Sequence, residues 1–107
     1  MSFDIEKVSN EMISAARAVL FAESPKIQSC IQAAFKEEQN VLETIANARL
    51  KGDIDDEELK SQLEDEKDVL KAALLACKVK EKAAAQKAVN AAIKVLSDAI
   101  KVAIPAL

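Results

Sequence analysis

Cys77-Lys78-Val79-Lys80-Glu81-Lys82-Ala83 is the stretch on which the fold turns. It holds no Gly, Pro or Asn, and no Ser, Thr or Asp that could cap a new helix. Lysine and glutamate are good helix formers, so local propensity carries a helix straight through it. The apolar stripe ahead of it is Leu59, Leu63, Leu70, Ala73, Leu74 and Cys77. It runs on in phase through Ala84, Ala88, Val95, Ala99 and Val102, until Pro105. Read literally, this is one helix of about 49 residues, roughly 73 Å long. Helices of that length are rare in small domains, so an unmarked turn near residues 79–82 is the competing reading.

Upstream of this stretch the helix start is strongly written. Asp55 is a cap, Glu58 three residues on is the return half of a capping box, and Ile54 is placed to staple Leu59. Just before it, Gly52 after Lys51 supplies the left-handed stop of a preceding helix. That helix runs from Ser24-Pro25, a cap followed by Pro at the first helical position that without a staple partner reads as either a sharp corner or a kink, and its stripe is Ile27, Ile31, Ala34, Phe35, Leu42, Ile45 and Ala48. The first helix starts at Asp4, with Phe3 stapling Val8 and a stripe of Ile5, Val8, Met12, Ala15, Val19 and Ala22.

The arms on either side of residues 52–55 are nearly equal in length. Folded there, they form a long hairpin whose facing residue numbers sum to about 107 by the helical rise. Cys30 meets Cys77 at one level of that hairpin, and Glu38 meets Glu66 at another.

Composition agrees with an all-α chain. Of 107 residues half are apolar, 3% are aromatic and one is Gly. A sheet protein needs turn signals every 8–12 residues or so, and they are missing here. The expectation is a single all-helical domain over residues 1–107: a bundle of three to four helices, built as a long hairpin that could dimerise into a four-helix bundle.

Catalytic chemistry is poorly supplied. There is no His, Trp or Tyr, which removes the usual general base, the commonest metal ligand and any Ser-His or Cys-His nucleophile. One Gly cannot build a phosphate-cradling loop. Asp53, Asp55, Asp56, Glu57 and Glu58 lack the central Gly and spacing of a calcium loop, and a capped helix start explains them better. No cofactor or metal is expected. A net charge of −3 without a basic motif argues against nucleic acid.

Three glutamates fall inside apolar stripes, namely Glu38, Glu66 and Glu81. A facing Glu38–Glu66 pair could share a proton or hold a cation. The plainer expectation is that each turns aside to a lysine, for instance Glu38 to Lys67. Cys30 and Cys77, at one level, could approach within disulfide range, but for a reducing compartment the plainer expectation is buried, reduced thiols. The start of the chain has neither the basic residues nor the apolar run of a secretory signal, which points to a cytoplasmic protein.

The C-terminal arm carries two apolar seams, Val89, Ile93, Leu96 and Ile100 on one side and Ala88, Ala92, Val95 and Ala99 on the other. A lone hairpin covers only one, so the other predicts a homodimer or a folded-back helix. The function expected is non-enzymatic and helix-mediated: an adaptor, a chaperone-like protein or a self-assembling structural protein. Val89, Ile93, Leu96, Ile100 and Ile104 are the candidate partner-binding residues, and the acidic run sets orientation. Nine acids against two lysines in residues 53–70, then seven lysines against two acids in residues 71–107, also suit a helix dipole.

Two other functions fit the residues. Residues 83–104 could lie on a membrane surface with Lys87, Lys94 and Lys101 toward the headgroups. Alternatively, Glu38 and Glu66 could form a minimal metal or acid–base site.

Overall fold

The computed structural model describes residues 3–104, so the stop signal at Pro105 lies outside the described residues. Four helices follow in order, α1 (Ile5–Val19), α2 (Pro25–Leu50), α3 (Asp56–Ala76) and α4 (Lys82–Ala103). They form an elongated bundle of 45 × 23 × 18 Å. Each helix packs on its sequence neighbour, α4 closes back on α1 in the most extensive contact, and among the described residues the backbones of α1 and α3 do not come close.

The starts of α1, α2 and α3 are those read from the sequence. Asp4 accepts from the amides of Glu6 and Lys7 at 3.1 and 3.3 Å. Ser24 accepts from the Ile27 amide at 3.3 Å, with Pro25 beginning the helix. Asp55 and Glu58 complete the capping box, with the Glu58 amide donating to Asp55 Oδ1 at 2.8 Å and the Asp55 amide to Glu58 Oε1 at 3.2 Å. Replacing Asp55 by Ala should therefore cost about 0.5–2 kcal/mol. A urea titration unchanged by the substitution would contradict this role.

The long-helix reading is wrong. The chain breaks after Ala76 and folds back through residues 77–81. The break has the same form as the one after α2. There the Gly52 amide donates to the Arg49 carbonyl at 3.1 Å and the Asp53 amide to the Ala48 carbonyl at 2.8 Å, with Gly52 at φ 82°. After α3 the Lys78 amide donates to the Leu75 carbonyl at 3.0 Å and the Val79 amide to the Leu74 carbonyl at 3.4 Å. Both are Schellman stops, but the left-handed position is filled by Lys78 at φ 72° instead of a glycine. A Cβ in that region costs roughly 1–2 kcal/mol. Tertiary contacts offset it: Val79 and Leu74 are buried in the core cluster, and the Lys80 amide donates to Glu23 Oε2 at 3.1 Å. No side chain caps the start of α4 at Glu81.

Folding back changes which faces are buried. On α1 the core residues are Ile5, Val8, Ser9, Met12, Ile13 and Ala16, followed by Leu20. Ala15 and Val19 are only half-buried and Ala22 is exposed, because the face of α1 must satisfy both α2 and α4. The expected stripes of α2 and α3 are largely core, with Ile27, Ala48 and Ala73 half-buried. On α4, Val89, Ile93, Leu96 and Ile100 are core, as are Ala88 and Ala92 of the second seam, while Val102 is 67% exposed.

Candidate functional site

The five residues expected to bind a partner separate. Val89, Ile93, Leu96 and Ile100 are buried inside the chain's own bundle, and Ile104 is half-buried at the end of α4. Of the second apolar seam, Ala88 and Ala92 are covered from within and Val95 and Ala99 are half-buried, so folding back removes much of the surplus apolar surface of α4. The membrane-surface reading meets the same obstacle, since the apolar face of residues 83–104 would have to leave the core to reach lipid. Among the described residues no helix is long and apolar enough to cross a membrane.

Part of the expected surface survives as a cleft between α3 and α4. It has a volume of about 530 Å³. Leu59 and Leu63 of α3 and Ile93, Ile100 and Ile104 of α4 contribute its apolar lining. Around them stand Asp56, Lys60, Glu64 and Lys67 on one side and Lys94, Asp98 and Lys101 on the other. Every acid on this rim is already matched. Asp56 holds Arg49 at 2.7 Å, Glu64 holds Lys67 at 3.2 Å and Asp98 holds Lys94 at 2.8 Å. The Asp98 carboxyl lies below its ordinary range because Lys94 donates to it. Lys60 has no such partner among the described residues and Lys101 adds its charge to that of Lys94 beside Asp98, so four lysines outnumber three acids over an apolar floor.

The acid pair is the other site read from the sequence. Glu66 sits between Leu63 and Leu70 on α3 and is only 9% exposed. The expected lysine does not reach Glu38, because Lys67 turns to Glu64 on its own helix. Glu66 Oε1 is shut off from solvent and meets no donor. Its neighbour is the half-buried Glu38 carboxyl of α2, which can bond Glu66 only while one of the two carries a proton. Burial is the main cause that raises the Glu66 pKa from 4.5 to about 7, followed by the bond to Glu38 and the charges of Glu38 and Asp65. Among the described residues no group of three or more potential metal ligands occurs. Glu81, the third glutamate of the stripe, is exposed at the α4 start.

Cys30 and Cys77 are joined in a disulfide, with their Cα atoms 5.7 Å apart. This corrects the expectation of buried free thiols: Cys77 is 8% exposed, but Cys30 lies on the surface. The shared level was legible from the numbering; the bond was not, because its formation depends on the redox environment.

A second cleft, of about 650 Å³, lies at the α1–α2 corner beside Arg17, Phe21 and Gln28. Phe21 is 81% exposed, the most exposed of the large apolar side chains. Lys80, Lys87, Lys94 and Lys101 are all exposed, with Lys87, Lys94 and Lys101 along α4 and Lys80 set apart in the turn before it. The chain matches no family model, no curated protein and no solved structure at a significant level.

Proposed function

We propose that the protein is a non-enzymatic interaction module that seats an amphipathic helix of a partner protein in the cleft between α3 and α4. The observation that carries this reading is the state of the cleft's rim. Its three acids are neutralised by neighbours and outnumbered by four lysines, with Lys60 unpaired and Lys101 sharing Asp98 with Lys94, over the apolar lining of Leu59, Leu63, Ile93, Ile100 and Ile104. A helix with an apolar stripe flanked by acids fits that arrangement, its acids providing orientation and on-rate and its apolar residues the affinity. The role assigned to the acidic run shifts accordingly, since its carboxylates at Asp56 and Glu64 are spent on local ion pairs.

The location that accompanies this reading also shifts. The Cys30–Cys77 bond favours an oxidising compartment over the cytoplasm, because cytosolic thiols are normally kept reduced.

The test is photocrosslinking in cells from a probe placed at Ser97, which lines the cleft, with a second probe at exposed Val41 on α2 as control. The expected product is an adduct from the cleft alone, captured on an acid-flanked amphipathic helix and lost in the K60E/K101E variant. Equal adducts from both positions, or none from the cleft, would overturn the assignment.

A further inference from the structure

The three corners of the bundle are not equally secured. The α1–α2 corner is written into the chain by Ser24 and Pro25, and the α2–α3 corner by Gly52 and the capping box. The Cys30–Cys77 bond then ties α2 to α3 covalently. The α3–α4 corner has none of this. Lys78 occupies a left-handed position, Glu81 makes no cap, and the residues themselves favour continuous helix. Val79 and the Glu23 carboxylate hold the corner in place, and they act only while α4 lies against its own bundle.

We propose that residues 77–82 are a hinge, and that α4 exchanges between two copies of this chain, with α3 and α4 merging into one straight helix in each. The exchanged arm must be α4, since the disulfide retains α3 and the cap at Ser24 retains the α1 corner. Each α4 regains the same apolar partners on the second copy's α1, so exchange keeps the core burial of α4 and gives up only the seat of Val79, while straightening relieves Lys78. In such a dimer the two bundles stack through their hinge ends. That end carries the α1–α2 corner, where Glu23 bonds Lys80 and where Phe21 is exposed. Stacking gives Phe21 an apolar neighbour that the single bundle lacks. This inference is independent of the cleft, which is rebuilt in the dimer from α3 of one copy and α4 of the other.

The experiment refolds the oxidised full-length chain at millimolar and at micromolar concentration, then measures mass by light scattering. A same-chain distance is measured between spin labels attached through non-natural amino acids at positions 60 and 101, with labelled chain diluted into unlabelled. In the single bundle these positions border one cleft. In the merged helix they stand ~60 Å apart. The expected result is a dimer at high concentration with the long distance. Lys78→Gly, which removes the Cβ penalty from both folded-back chains that make one dimer, should lower the dimerisation constant ~30-fold or more, and Phe21→Ser should weaken it without altering the monomer. The inference is overturned by a monomer at both concentrations, by a dimer that keeps the short distance, or by a dimer indifferent to Lys78→Gly.

Discussion

Raising the pH from about 4.5 to about 7 should destabilise the wild-type chain relative to its Glu66→Gln variant by on the order of 3 kcal/mol. The sign follows from proton counting. The folded chain holds the Glu66 proton up to about pH 7, whereas an unfolded chain releases it near 4.5. Between those values the native state binds more protons, so stability is full below the lower value and is lost as pH rises through the upper one. Gln keeps a donor for Glu38 and cannot ionise, so its variant should lack this loss. Urea titrations of both proteins at steps between pH 4 and pH 8 measure the difference, and parallel curves would contradict a proton held between α2 and α3. Glu38→Gln should lower the Glu66 midpoint only part of the way, because burial outranks the Glu38 contribution. An effect of this size is a large fraction of a small domain's total stability.

Removing the Cys30–Cys77 bond should cost about 4 kcal/mol, the chain-entropy value for a loop of this length. The bond spans 47 residues, which enclose most of α2, the Gly52 turn and all of α3. Opening it therefore restores to the unfolded chain the freedom of nearly half its residues. Thermal and urea unfolding of the C30S/C77S variant, compared with wild type under non-reducing conditions, gives the number. A difference below about 1 kcal/mol would mean that the α2–α3 hairpin is already closed in the unfolded ensemble. Because Cys30 is exposed, a dithiol reductant should reproduce the variant's behaviour in the wild type without prior denaturation.

The helix starts and the Gly52 stop are local events, settled by side chains within three or four residues of the atoms they bond, and for that reason they were legible in the chain. Asp55 with Glu58, Ser24 with Pro25, and Gly52 with its left-handed φ are of this kind. The apolar periods of α2 and α3 were legible for the same reason. The level pairing of Glu38 with Glu66 and of Cys30 with Cys77 followed from the helical rise alone, once the turn at Gly52 was placed.

What tertiary structure decided lies where local preference is weak or opposed. The stop after Ala76 repeats the hydrogen bonds of the stop after Leu50, yet Lys78 disguises it. Its cost is met by Val79 entering a core that exists only when α4 folds back. The phase of the α1 stripe turned toward Ile13 and Ala16 because α1 has two neighbours instead of one. Glu38 was left facing Glu66 because its expected partner, Lys67, pairs with Glu64 on its own helix. Four of the five candidate partner residues of α4 became core and Ile104 stayed half-buried, since four helices can enclose most of its two seams and a two-arm hairpin can enclose only one. Short-range chemistry wrote three of the helix starts, and long-range packing chose where the last arm lies.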